Sequence, residues 1–334
     1  MSEQKNRTDS TGKADIQKDG GPSSLSRKSC ETKTPYFSVI TPSWNQGAFI
    51  GKCLESVVAQ GDADYEHLVF DNCSTDGTAQ VVNRFPQVCF YSEPDRGQSD
   101  AVNKGLRTAR GEIICWLNSD DAYPAGVFEK LREAFADPAV EVIFGDVLQV
   151  AYDGGGEARA PGRLESRLDF IRWWSSAVKL HQPAIFFRRS VLAKSGFLRE
   201  DLHYAMDYEF WWRLSESHRF HYLPEILAIQ HRQPDSKTIR NWVKFYEERE
   251  RVFAPFYGLI DNGDRGALIK EKKAVMARNY LQNAYAAVQN DRCGAWHDLI
   301  RAWNESPHFV LHPRILGLLC SLILPRRGVV LTNA

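Results

Sequence analysis

The sequence predicts an α/β protein built on a doubly wound sheet, and three observations carry that expectation. Short strand-like runs alternate with segments of helical apolar spacing between Tyr36 and Leu117. A polar loop follows each strand-like run. One run, Ile113-Ile114-Cys115-Trp116-Leu117, is apolar without interruption, as a strand covered on both faces of a parallel sheet must be. Alternation of this kind implies right-handed crossovers, which put the loops after the strands on one edge, where such sheets bind ligands.

The elements follow in chain order. Residues 1–34 contain no Phe, Trp or Tyr and are rich in Ser, Lys, Asp, Gly and Thr; they cannot bury enough apolar surface to offset ordering entropy, so a disordered tail is expected. Phe37-Ser38-Val39-Ile40 predicts a strand ended by Thr41-Pro42. Ile50, Leu54, Val57 and Val58 recur at the spacing of one helix face. His67-Leu68-Val69-Phe70 predicts the second strand, 71–77 a polar loop and 78–84 the next helix. Val88-Cys89-Phe90-Tyr91 predicts the third strand. The loop through Pro94-Asp95-Arg96-Gly97 opens a helix with Val102, Leu106 and Ala109 on one face, and Gly111 marks its end. From about Arg251 the alternation stops, and Ala277, Leu281, Ala284, Tyr285 and Val288 form an amphipathic helical stripe. The expected organisation is a tail (1–34), an α/β domain (35–250) and a helical extension (251–334).

Composition bounds the function. A length of 334 residues suggests about two domains, and 43% hydrophobic with 25% charged residues excludes a collagen-like or wholly disordered chain. Lys+Arg 42 against Asp+Glu 42 leaves no overall field to attract nucleic acid, so no nucleic-acid partner is expected and any phosphate-binding patch must be local. Seven cysteines without close spacing argue against a disulfide framework or a structural zinc site. The N-terminus has no apolar signal-peptide core, and the expected location is the reducing cytoplasm. The last apolar run, residues 315–324, is too short for a bilayer span of about 20 residues. It precedes Pro325-Arg326-Arg327, so it could either pack as a final helix or lie in the interface at the inner face of a membrane.

The loops at the predicted edge carry the chemistry. Asn118-Ser119-Asp120-Asp121 sets two carboxylates and an amide directly after the buried run. Such hard oxygens suit Mg²⁺ or Mn²⁺ on a diphosphate, and they equally suit turn capping. The loop from Asp71 to Thr78 offers donors and acceptors for a base or ribose, while Ser74 or Asp76 can also cap the following helix. Asp207, flanked by Tyr204, Met206, Tyr208, Phe210 and Trp211, is a carboxylate among apolar groups, an environment that raises a carboxyl toward the range of a general base. The competing role is a helix cap. Arg188 and Arg189 end a strand-like run and could meet phosphate or solvent.

Taken in order, Thr41-Pro42-Ser43-Trp44-Asn45-Gln46, the Asp71 to Thr78 loop, Ser92-Glu93-Pro94-Asp95-Arg96-Gly97-Gln98-Ser99-Asp100, Gly111-Glu112, the Asn118 to Asp121 turn and Met206-Asp207-Tyr208-Glu209 resemble a family 2 glycosyltransferase. The resemblance covers roughly residues 36–240. It implies a GT-A fold, with a Rossmann-like doubly wound mixed sheet and a C-terminal helical appendage. It also implies an inverting enzyme that moves a sugar from a nucleotide-diphosphate sugar to a carbohydrate or lipid-linked acceptor, in surface polysaccharide or glycan biosynthesis. By that resemblance Thr41, Ser43 and Asn45 border the base. Asp71 and Asn72 match the base-reading pair, with Asn at the second position, and Arg96 belongs to the donor site. Asp120 matches the ligand of a divalent metal (Mg²⁺ or Mn²⁺), with Asp121 as its support and Asn118 reaching the ribose or a metal-bound water. Asp207 matches the base, preceded by Met206 where the family usually has an acid. Gln230-His231-Arg232-Gln233 departs in order and spacing from the family's Arg-x-His element, which leaves His231 outside the expected metal shell.

Two other classes compete. A nucleotidyltransferase would want a Gly- and Lys-rich first loop, absent from residues 41–46. A non-catalytic nucleotide-sugar binding protein would be favoured by loss of Asp120 or Asp207, and both are present.

Overall fold

A computed structural model describes residues 34–62, 64–151, 155–175, 177–232, 241–260, 262–288, 291–307 and 322. The expected tail, apart from Thr34, and the run 315–324 with Arg326 and Arg327, apart from Leu322, lie outside the described residues. The strands are β1 Phe37–Ser43, β2 Tyr65–Asp71, β3 Val88–Ser92, β4 Ile113–Trp116, β5 Asp121–Ala122, β6 Val142–Ala151, β7 Glu157–Ala160, β8 Ile185–Arg188 and β9 Phe220–Arg232. The helices are α1 Ile50–Val58, α2 Thr78–Val82, α3 Gln98–Thr108, α4 Val127–Ala134, α5 Leu192–Ser195, α6 Met206–Leu214, α7 Trp242–Phe253, α8 Asn262–Ala287 and α9 Arg292–Glu305.

The sheet runs β3-β2-β1-β4-β8-β6-β9-β5, with β7 paired to β6. The first four neighbours are parallel, as the alternation predicts. Beyond β4 the sheet is mixed, as the family resemblance implies, because β8 inserts antiparallel between β4 and β6. The chain leaves β1 toward β2 and β3 and returns on the other side as β4, so the order reverses between β1 and β4 and opens a crevice at their carboxyl ends.

Strand residues alternate between two cores. Ile40, Ile114, Trp116, Ile185 and Phe187 face one cluster with Val102 and Leu106 of α3 and Phe210 and Trp211 of α6. Phe37, Val39, Ile113, Cys115 and Phe186 face the other, with Cys53 and Val57 of α1 and Phe128 and Leu131 of α4. This period of two is the pleat of a strand covered on both sides.

Several local expectations are corrected. β1 does not stop at Thr41-Pro42 but continues to Ser43. Ile40 accepts from Leu117 on the β4 side and Ser43 accepts from Asn72 on the β2 side, so Pro42 faces the side where β4 has ended and no ladder N–H is needed there. Cys53 replaces Val58 on the buried face of α1, and Val58 is exposed. In α8 the stripe buries Ala277, Leu281 and Ala284 but leaves Tyr285 exposed. The proposed boundary after residue 250 falls within α7. Residues of α8 and α9, among them Met276, Tyr280, Leu281 and Leu299, share one cluster with Ile40 and Trp116 of the sheet. No helix among the described residues is long and apolar enough to cross a membrane.

Candidate active site

The loops after β1 and β2 meet at the carboxyl edge. Asn45 and Cys73 both adopt left-handed φ, 53° and 49°, a conformation unusual for side chains other than Gly and concentrated at functional sites. The two turns hold each other: the Asn45 backbone N–H donates to Ser74 Oγ (2.7 Å), and Thr75 N–H donates to Asn45 Oδ1 (3.0 Å). Asp71 is buried and braces its own loop, accepting from Ser74 N–H (2.8 Å), Ser74 Oγ and Ser92 Oγ (3.0 Å). Asn72 donates its N–H to Ser43 O and accepts from Asp95 N–H at Oδ1, both at 2.9 Å. Asp76 binds both Thr78 N–H and its hydroxyl at the start of α2 and reaches back to Gly47 N–H, and the Thr78 hydroxyl contact holds its carboxyl below the ordinary value.

Thr41 does not line this edge. It is wholly buried, with its hydroxyl on His67 Nε2 (2.9 Å) and beside the Cys53 thiol. Ser43 is buried, and its Oγ has no hydrogen-bond partner.

The acidic turn sits on the crevice between β1 and β4. Ser119 Oγ donates to Pro42 O (2.6 Å), tying the turn to the end of β1. The Asn118 amide is held on three sides: its Oδ1 accepts from Gln98 (3.0 Å) and Trp116 Nε1 (3.1 Å), and its Nδ2 donates to Gln182 (2.8 Å). Gln182 closes the ring by donating to Trp116 O. Asn118 thus fixes the turn rather than projecting from it. Asp120 is part-buried, and burial pushes its carboxyl up from the ordinary range. Asp121 is 4% exposed; burial first and the Asp120 charge second raise it well above that range.

A residue excluded on sequence spacing joins this turn. β9 pairs with β5, Asp121 against Gln230, and this brings His231 Nδ1 to 2.8 Å from Asp120 O. A carbonyl only accepts, so Nδ1 carries the proton on this bond, and Nε2 is the ring nitrogen left to meet a cation. Nothing local to residues 230–233 signals this; only the antiparallel register does.

Asp207 lies in the first turn of α6, part-buried, with Oδ1 accepting from Tyr208 N–H (2.7 Å). Its approach segment is pinned to α3: Ser99 Oγ donates to Leu202 O (3.0 Å), and Asn103 exchanges two hydrogen bonds with Leu198. Gly97, at φ 119°, takes a backbone conformation that side chains rarely adopt, and a Cβ there would make ordinary contact with His203 Nδ1 at 3.6 Å. Trp211 of α6 packs 6.4 Å, centroid to centroid, from Trp116, whose indole holds Asn118. Arg96 is largely exposed and paired with Asp100 and Glu200.

Arg188 and Arg189 are not at this edge. Because β8 runs antiparallel to β4, Arg188 pairs with Ile113 at the start of β4. It is bound by Glu112 and by the carbonyls of Phe135 and Val140, while Arg189 binds Gly111 O. The two arginines border a cavity of about 840 Å³, with Leu106, Arg107 and Ala109, at the opposite edge of the sheet.

The fold is of the GT-A type: a parallel sheet widened by antiparallel insertion, with polar loops and an acidic turn at its carboxyl edge. Residues 38–196 match the model described as Glycosyl transferase family 2. The chain is 28% identical over 214 residues to the chondroitin synthase of Pasteurella multocida, covering 63% of this chain and 22% of that synthase. It is similar in fold to S. aureus TarS 1-349 in complex with UDP (TM-score 0.53, 19% identity, 85% of this chain and 87% of that one). A similar match is the mannosyltransferase PcManGT from Pyrobaculum calidifontis in complex with GDP-Man and Mn²⁺ (TM-score 0.50, 18% identity, 87% and 86%).

Proposed function

We propose that this chain transfers a sugar from a nucleotide-diphosphate sugar to an acceptor hydroxyl with inversion at the anomeric carbon, in the assembly of a polysaccharide or other glycan. The observation that carries the proposal is the family 2 match over the residues whose loops converge at the β1/β4 crevice. Solved neighbours with UDP and with GDP-Man support a nucleotide-sugar donor here; the base and sugar follow from pocket shape rather than from these loops.

The residues at the acidic turn fit a divalent ion that arrives with its substrate. Among the described residues no group of three His, Cys, Asp or Glu side chains is arranged to hold an ion. Asp120 and His231 Nε2 are the groups that would hold Mg²⁺ or Mn²⁺, with the diphosphate and water completing the shell, and two carboxyls raised by burial gain from a nearby cation. Such an ion would neutralise the charge that develops on the departing diphosphate. Asp121 fixes the turn, through Asn118 and the His231 backbone N–H. Asn45, Asn72 and Ser43 supply polar atoms for the base and ribose. Asp207 accepts the proton of the acceptor hydroxyl as its oxygen attacks C1 from the face opposite the leaving group.

The deciding experiment is donor turnover across UDP-, GDP- and dTDP-sugars, with Mg²⁺, with Mn²⁺ and with chelator. Release of nucleoside diphosphate from one donor class, abolished by chelation, is the expected result. Release of pyrophosphate from a nucleoside triphosphate and a sugar phosphate would instead identify a nucleotidyltransferase.

A further inference from the structure

The turn that leads into Asp207 is held by a carboxylate from far along the chain. Glu248, on α7, accepts from three successive backbone N–H groups: His203 (2.9 and 3.1 Å), Tyr204 (2.7 Å) and Ala205 (2.9 Å). Those amides immediately precede α6, where unpaired N–H groups and the positive end of the helix dipole coincide. Neighbours on the same face of α7 grip the same stretch. Phe245 packs on Tyr204 (centroids 5.2 Å), Arg249 lies over the Tyr208 ring (4.6 Å), Phe253 packs on Tyr208 (5.3 Å) and Arg251 donates to Asp201 O (3.1 Å). On the opposite side, α3 pins Leu198 and Leu202. The segment carrying Asp207 is therefore clamped between the helix that opens at Gly97 and a helix beyond the family 2 match.

We propose that Glu248 is the positioning residue for Asp207, with its carboxylate holding the 203–205 turn so that α6 presents Asp207 in one orientation at the acceptor side of the crevice. A base that acts only as the acceptor attacks is sensitive to small displacements, because proton transfer needs near hydrogen-bond geometry. Donor binding draws on the β1, β2 and β4 loops and does not involve Glu248. The proposal rests on Asp207 as the base.

The test is steady-state kinetics of Glu248→Ala and Glu248→Gln in the full chain, with amide hydrogen exchange across residues 203–205. For Glu248→Ala we expect kcat to fall about 10- to 100-fold, donor KM to stay within about twofold, and the three amides to lose protection. Glu248→Gln retains one acceptor oxygen and is expected to fall between wild type and Glu248→Ala. In an Asp207→Asn background, Glu248→Ala is expected to add little further loss. An unchanged kcat in Glu248→Ala, with Asp207→Asn strongly impaired, overturns the role of Glu248 alone. Wild-type turnover in Asp207→Asn overturns the base assignment and the catalytic role of Glu248 with it. A fall in melting temperature with kcat and amide protection unchanged well below it identifies Glu248 as merely structural.

Discussion

At the residue scale, the acidic turn divides its labour between groups that face the crevice and groups that build it. Asn118, Ser119 and Asp121 are bound inward, which leaves Asp120 as the carboxylate available to a cation. Asp120→Ala is expected to abolish metal-dependent transfer while leaving the far-ultraviolet spectrum and melting temperature near wild type; retained turnover with metal present would remove Asp120 from the site. Asp207→Asn keeps the shape of the side chain but cannot take a proton, so transfer is expected to fall about 10²- to 10⁴-fold. Calorimetric donor affinity should stay unchanged in that variant. His67 makes a separate prediction. Burial lowers its imidazole from 6.5 to about 3, so between those values the unfolded chain binds a proton that the folded chain does not. Its contribution is intact above about pH 6.5 and is lost as pH falls, by about 1.4 kcal/mol per pH unit, or roughly 2 kcal/mol at pH 5. His67→Gln should flatten the acid side of a stability-versus-pH curve measured by urea unfolding, and an unchanged slope would contradict the assignment.

At the element scale, helix α3 does two jobs because it lies unusually close to the sheet. A Cβ on Gly105 would stand 2.3 Å from Ile40 Cγ2, and Ile40 is wholly buried at the centre of β1. Gly to Ala in a helix interior gains about 1 kcal/mol of propensity, whereas overpacking a close-packed core loses about 1–3 kcal/mol. At so short an approach the steric loss prevails. Gly105→Ala should lower the melting temperature by several degrees, and a higher melting temperature would show that α3 can lift off β1. Displacement of α3 would also move Gln98 from Asn118 and Ser99 from Leu202. The apolar face of α3 was legible in the sequence because Val102 and Leu106 repeat at a helical period, with buried Ala109 just past its last turn; the polar braces from Gln98, Ser99 and Asn103 were not, since each partner lies on a distant loop.

At the scale of the whole molecule, the C-terminal helices share one apolar cluster with the sheet. Tyr257 stacks edge-on against Trp174 and accepts from Trp173 Nε1, and Arg172 pairs with Glu271. A chain ending at residue 250 would uncover Trp173, Trp174 and the α6 aromatics and cut α7 within its last turn. Losing several large buried side chains amounts to several kcal/mol, so the truncated chain is expected to melt roughly 10 °C or more below the full chain. Equal melting temperatures would instead support an autonomous 35–250 domain.

The sequence by itself determined the alternating strands and helices, the edge on which the loops gather and the family 2 blocks from residue 41 to 121. These signals are local: periods of two and 3.6, turn residues and short polar runs are set by neighbours in the chain. Only the tertiary structure decided that Thr41 turns inward to His67, that Arg188 and Arg189 lie on the far edge, that His231 reaches Asp120 across 111 residues and that Glu248 holds the Asp207 turn across 45. The physical reason is common to all four. Strand direction, ladder register and helix-to-loop packing arise from burying two faces of one sheet at once, and no short stretch of sequence carries the position of its partner.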